Sequence, residues 1–235
     1  MIFRQLFDHD TWTYTYLLAD PESREAALID PVRERVERDV ALLEELGLEL
    51  RYALDTHLHA DHVTGAGLLR ERLGAASGVS AVSEVPCAAL ALRHGDRLPL
   101  GAYELEVRST PGHTAGCLTF VVETREEKMA FTGDTLFIRG CGRTDFQQGD
   151  AATLYRSVRE QIFSLPGETL IYPGHDYRGH SVSTVAEERA HNPRLHDGVS
   201  EADFVELMGN LKLSHPKQIH EALPANLACG LPEKD

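Results

Sequence analysis

The segment His57-Leu58-His59-Ala60-Asp61-His62 constrains this chain more than any other six residues in it. Side chains two apart in an extended segment face the same way, so His57 and His59 can converge on one ion. Asp61 and His62 stand where the chain turns toward a helix and can address a neighbouring position. Three further donors follow at the ends of expected strands: His113 in STPGHTAG, Asp134 in FTGDT and His175 in YPGHDY. Imidazole and carboxylate suit zinc, iron, nickel or copper, and these groups together can hold two adjacent ions with Asp134 bridging. Gly112, Gly133 and Gly174 beside the donors permit tight turns that bring backbone close to a crowded centre. Of the 12 histidines, His9, His94, His180, His191, His196, His215 and His220 lie outside these motifs and read as ordinary hydrogen-bonded or surface residues.

A site carried on strand-end loops calls for a scaffold with sheets inside and helices outside. Thr11 to Leu18 alternates, with aromatics at Trp12, Tyr14 and Tyr16, and predicts a strand; Glu25 to Ile29 predicts a second. Val32, Val36, Val40, Leu43 and Leu46 recur at helical spacing until Gly47 ends the helix. Tyr52 to Leu54 reads as a buried strand running into DTHLHADH, and Thr64 to Leu73 as a helix closed by Gly74. Strands are expected at Val79–Val82, Tyr103–Val107, Cys117–Val122, Lys128–Phe131 and Thr169–Tyr172. Asp150 is placed to cap a helix that turns Leu154, Tyr155, Val158 and Ile162 to one side. Further helices are expected over Ser181–Ala190 and after the Ser200–Asp203 capping box. The expectation is an α/β fold in one domain, residues 1–235, with a short helical extension at the C-terminus.

Composition narrows the partners. Lys plus Arg is 23 against Asp plus Glu 37, a formal charge of −14, whereas phosphate binding needs clustered cations, so nucleic acid is excluded as a main partner. No apolar run approaches the roughly 20 residues that span a bilayer, and the first residues lack a leader pattern, so a cytoplasmic setting without membrane is expected. Cys87, Cys117, Cys141 and Cys229 form no C-x-x-C pair and read as free, mostly buried thiols.

These motifs resemble the metallo-β-lactamase superfamily, whose fold is a four-layer αβ/βα sandwich with metals at one edge of its two sheets. Within it, THLHADHVTGAG, FTGDTLFIRGCGRTDFQQGDAATLYRSV, IFSLPGETLIYPGHDYRGHSVSTVAEERAHNPRL and FVELMGNLKL…PANLACG are similar to the persulfide dioxygenases, also called sulfur dioxygenases. The RGCGRTDFQQG block is the most specific, because metal ligation does not require it. Gly174 departs from the pattern: the family's human member has alanine there, and glyoxalase II has glycine.

The resemblance implies one Fe(II) per chain, no flavin and no haem, with His57, His113 and Asp134 as a two-His, one-carboxylate triad leaving about three open positions. His59, Asp61, His62 and His175 would then orient ligands and bound water. The implied reaction takes glutathione persulfide, O2 and water to glutathione and sulfite. Glutathione carries carboxylates, so this acidic chain needs a locally positive pocket, for which Arg139, Arg143, Tyr177, Arg178 and Lys212 are the candidates. Arg143 also reads as an internal ion pair with Asp145. Arg139 and Arg143 can lower the pKa of Cys141, yet a structural or oxidation-sensitive thiol is the reading once iron supplies the chemistry. Cys117 reads as core, and Cys229 belongs to a tail expected to pack beside the site. Relatives associate as dimers, which leaves a homodimer open. The competing reading is a dinuclear zinc thioesterase of the glyoxalase II type acting on S-lactoylglutathione, with Asp61 and His62 as ligands. It calls for a separate C-terminal lobe, for which 60 residues after His175 are short. A non-catalytic scaffold fits less well, because purely structural metal sites are closed.

Overall fold

The computed structural model describes residues 1–211 and 218–231. They group into two units, one from residues 1–92, 98–104 and 218–231, the other from 93–97 and 105–211. In the first, β1 (Ile2–Asp8), β2 (Thr13–Ala19) and β3 (Glu25–Ile29) pair antiparallel. Strands β4 (Glu49–Leu54), β5 (Ala76–Ser80) and β6 (Leu90–Leu92) then add in parallel, giving a sheet in simple chain order. Parallel neighbours need crossovers, and α1 (Val36–Leu46) and α2 (Ala66–Leu73) supply the first two. Each helix stops on a glycine in the left-handed conformation, Gly47 and Gly74, as their sequence positions predict.

Leu17, Ala19, Ala26 and Leu28 meet Val36, Leu43, Ala66 and Leu69 in the core beneath these helices. Tyr16, Leu18, Ile29 and Leu54 are buried as well, so β2 is buried at all its positions. That is the pattern of a sheet covered on both faces, which the aromatic alternation alone does not reveal. Strand β1 was not anticipated, because IFRQLFD keeps most of its positions half-buried and gives little contrast between faces.

The second sheet has the order β12-β11-β10-β9-β8-β7. It comprises β7 (Arg97–Leu100), β8 (Tyr103–Ser109), β9 (Leu118–Glu123), β10 (Lys128–Gly133), β11 (Leu170–Pro173) and β12 (Ser183–Thr184). Between β10 and its parallel neighbour β11 runs α3 (Ala151–Ser157), continued by a π-type turn over Val158–Ile162. After β12 come α4 (Val185–His191) and α5 (Glu201–Gly209). Asp150 accepts from the Thr153 amide and Ser200 from the Asp203 amide, the two caps read from sequence. The helix expected from Ser181 starts later, because Ser183 and Thr184 pair with β11 and Thr184 becomes the cap. Val121, Ala130 and Ile171 of the sheet pack on Leu154, Val158, Ile162, Val185 and Phe204. The last element, α6 (Ile219–Leu227), belongs to the first unit. No helix among the described residues is long and apolar enough to cross a membrane.

The cysteine expectation needs correction. Cys87 and Cys229 form a disulfide across 142 residues of chain, a pairing created by the fold and invisible in the spacing. Cys117 and Cys141 are free and buried as expected, and burial pushes their thiols up to about 12 and about 11. The arginine beside Cys141 is Arg194, which donates to its carbonyl at 3.1 Å; its charge does not offset the burial.

One buried acid makes stability depend on pH. Asp39 in α1 is fully buried, receives Arg38 Nε at 2.8 Å on one oxygen, and has no partner for the other among the described residues. Burial raises its pKa from 3.8 to about 6 against the pull of Arg38. The native state therefore binds this proton more tightly than the unfolded chain, and stability falls as pH rises through about 4 to 6. At neutral pH the cost is at most about 3 kcal/mol. Asp39→Asn is expected to raise Tm at pH 7 and to leave it unchanged near pH 4; a gain independent of pH, measured by thermal melts, would remove Asp39 as the cause.

Candidate metal centre

In the first unit, β4 ends at Leu54 and delivers the loop that carries the histidine motif. Asp30, just past β3, accepts from both the amide and the hydroxyl of Thr56, at 2.7 and 2.9 Å. His57 Nδ1 lies 3.0 Å from the same hydroxyl. The single hydroxyl proton of Thr56 goes to Asp30, so the hydroxyl oxygen accepts and His57 Nδ1 donates. Nε2 of His57 thereby keeps the lone pair a metal ligand needs.

His59 is held differently. Its Nε2 bonds Asp30 Oδ1 at 3.1 Å and lies 3.9 Å from Asp55 Oδ1, while Nδ1 is buried without a hydrogen-bond partner among the described residues. Burial disfavours the imidazolium, but Asp30, Asp61 and Asp55 outweigh it and raise the pKa to about 9. Burial also pushes the Asp55 carboxyl up to about 7, against the attraction of His59. The segment 55–65 bends at several points, so the alternation that would aim His57 and His59 alike does not apply. Their rings lie 4.1 Å apart, with Nε2 of His59 on Asp30. His62 Nδ1 bonds Asp61 Oδ2 at 2.8 Å, and His59, Asp61 and His62 form a compact set of donors, as do Asp30, Asp55 and His59.

The second unit brings three of the expected residues together. Gly133 at the end of β10 stands opposite Pro173 of β11, which makes neighbours of the following residues Asp134 and His175. His175 Nδ1 donates to Asp134 Oδ1 at 2.8 Å. His113 Nδ1 lies 2.7 Å from the Arg143 carbonyl, which only accepts, so that nitrogen carries the proton. Its Nε2 then faces Asp134 Oδ2 at 3.6 Å, two acceptors turned toward each other. A cation between them is the natural occupant, and an imidazole with a carboxylate suits a divalent transition metal. Gly112 serves this loop by absence of bulk. Its φ is +135°, and a Cβ there would lie 2.3 Å from the backbone of Leu154.

The substrate candidates are placed unevenly. Both sides of the Arg139 guanidinium are taken by Glu187 and Glu188, so its charge is committed within the protein and not left for a glutathione carboxylate. Nothing in the local sequence signals that pair, nearly 50 residues away. Arg143 makes the internal ion pair anticipated, with Nε and Nη2 on Asp145 at 2.6 and 2.7 Å, and lies over the Phe146 ring. Tyr177 is 62% exposed and stacks on the His175 ring, and Arg178 is exposed. Lys212 lies outside the described residues. Asp30 and Thr56, which set the tautomer of His57, were not anticipated. The signal was an acid directly after a strand, in Ile29-Asp30-Pro31.

Comparison with known proteins adds length to this geometry. The metallo-beta-lactamase superfamily model matches residues 13–175. The human protein named persulfide dioxygenase ETHE1, mitochondrial, is 56% identical over 232 residues, which is 98% of this chain and 89% of that protein. The crystal structure of ETHE1 from Myxococcus xanthus superposes with a TM-score of 0.94 at 49% identity, covering 98% of this chain and 100% of that one. The hydroxyacylglutathione hydrolase of Brucella ovis is 38% identical over 167 residues, covering 70% of this chain and 62% of that protein.

Proposed function

The chain belongs to the metallo-β-lactamase superfamily and, within it, to the persulfide dioxygenases, and from that premise we propose that it oxidises glutathione persulfide with O2 and water to sulfite and glutathione. The observation that carries this is the degree of likeness together with its reach: identity to the human dioxygenase is 56% over 98% of the chain, against 38% over 70% for the hydroxyacylglutathione hydrolase. We assign one Fe(II) per chain to His57, His113 and Asp134, and the reaction needs neither flavin nor haem.

When bound, Fe(II) would be held by His57, His113 and Asp134 and would supply a redox-active centre open to the persulfide sulfur and dioxygen. The protein's own work is to hold the donors ready. Asp30 and Thr56 fix His57 as the Nδ1–H tautomer, and the Arg143 carbonyl does the same for His113. His175 occupies one oxygen of Asp134 and leaves the other for the metal. His59, tied to Asp30 and Asp55, and the Asp61–His62 pair serve as outer partners.

With Arg139 committed to Glu187 and Glu188, the glutathione carboxylates fall first to Arg178 and Lys212, Arg143 joining them only by giving up its pairing with Asp145, and Tyr177 offers its hydroxyl to the peptide. Arg143→Ala is expected to raise KM for glutathione persulfide with kcat and Tm little changed; a collapsed Tm would make Arg143 a staple of its loop instead. We further propose that residues 1–235 act as one domain, with association as a homodimer open to it; the Cys87–Cys229 disulfide does not fit the reducing cytoplasm expected from the sequence.

The test of function pairs metal content with oxygen uptake on one anaerobically purified sample. The expected result is about one iron per chain, O2 consumed, and sulfite formed from glutathione persulfide. Two zinc ions per chain, no O2 uptake and hydrolysis of S-lactoylglutathione would overturn the proposal.

A further inference from the structure

The C-terminal segment reaches back onto the histidine loop through one side chain. Asn226 in α6 is 3% exposed. Its Nδ2 donates to the carbonyls of His59 at 2.9 Å and His62 at 3.0 Å, and its Oδ1 accepts from the Thr64 amide at 2.8 Å. A single amide thus satisfies three backbone groups of a bent loop. The surrounding backbone is seated just as closely. The Gly67 amide donates to the Cys229 carbonyl at 3.0 Å, and a Cβ on Gly67 would lie 2.3 Å from that oxygen. A Cβ on Gly230, where φ is +70°, would lie 1.9 Å from the Thr64 carbonyl oxygen. Three residues beyond Asn226, the disulfide from Cys229 to Cys87 ties this segment down.

We propose that Asn226 is a positioning residue for the metal-binding loop, fixing the backbone from His59 to Thr64, and that the Cys87–Cys229 disulfide pins it in place. This rests on the reading that the loop carries metal donors. Without these three bonds the stretch from His59 to Thr64 would sample more backbone states, and its donors would hold their places less closely. The carboxamide removes that freedom before any metal arrives.

The experiment is hydrogen–deuterium exchange on the metal-free full chain. Asn226→Ala is expected to speed exchange across residues 57–65 by about tenfold, with the sheet of the second unit unaffected. In iron-loaded protein the same variant is expected to lose iron to a chelator about tenfold faster, on the scale of other outer partners of metal sites. The spectrum of its nitric oxide adduct is expected to broaden, which a purely structural role would not cause. Cys87→Ser leaves Asn226 intact but unpinned and should show the same changes in smaller degree; it carries the test if Asn226→Ala does not fold. Unchanged exchange over 57–65 in a folded Asn226→Ala, or in Cys87→Ser where the first variant is unfolded, would overturn the proposal. Loosening of 57–65 in a wild-type background that neither holds iron nor consumes O2 would leave the positioning role standing and overturn the dioxygenase reading alone.

Discussion

Asp134→Ala is expected to abolish both iron binding and turnover, while His175→Ala keeps most of its iron. The two residues share a hydrogen bond of 2.8 Å, so a purely steric view would treat them alike. Their oxygens and nitrogens are used differently. Asp134 Oδ2 faces His113 Nε2 at 3.6 Å and is the carboxylate arm of the proposed triad, whereas His175 spends Nδ1 on holding Asp134 Oδ1. Losing an outer partner weakens metal sites by about 10–100-fold, and losing one of three ligands must exceed that. Iron per chain by elemental analysis, with O2 uptake on the same samples, separates the cases. Near-complete metal loss in His175→Ala would instead make it a ligand and move the site toward two metals. Asp134→Asn controls for packing: it keeps the shape and weakens the donor, so retained fold with lost iron places the effect in the ligand.

Much of this arrangement was legible because ligand chemistry leaves short local motifs. His57, His113 and Asp134 stand out through residue type and the glycines and turns beside them, and the caps at Asp150 and Ser200 through local hydrogen-bonding logic. The rest is decided by tertiary contact, which leaves no local mark. From sequence Arg139 can serve either as a carboxylate binder or in an internal ion pair, and α4 decides for the second by bringing Glu187 and Glu188 to it. Cys87 and Cys229 gave no pairing signal across 142 residues. Asn226 acts on a loop more than 160 residues earlier, and its role follows from three backbone groups that no sequence pattern marks as needing partners. Alternation in an extended segment predicts that His59 aims with His57, and the bend of the loop gives it to Asp30 instead.

The RGCGRTDFQQG block has the same kind of explanation, and it yields the sharpest contrast between two similar substitutions. Gly142→Ala is expected to be severe and Gly140→Ala nearly silent. The Gly142 amide donates to the Asp134 carbonyl at 2.8 Å, and a Cβ at 142 would lie 2.3 Å from that oxygen and 2.9 Å from His113 Nδ1. An added methyl must push apart the backbone of one proposed ligand and the ring of another. Such overpacking costs roughly 3 kcal/mol, a drop in Tm of roughly 6–12 °C for a chain of this size. Iron affinity should fall with it, because the displaced groups belong to the two residues whose Oδ2 and Nε2 are the proposed donors. At Gly140 the nearest atom to a new Cβ is Phe137 Cβ at 3.8 Å, an ordinary contact, so a change within about 0.5 kcal/mol is expected. Gly149 repeats the severe pattern, with the Thr144 carbonyl at 2.6 Å and the His113 carbonyl at 2.8 Å from a Cβ. Thermal melts and iron content of the two alanine variants decide the matter. Equal, mild effects at 140 and 142 would mean that the block is not built around His113 and Asp134, and its specificity would then have to come from substrate contacts along its exposed side.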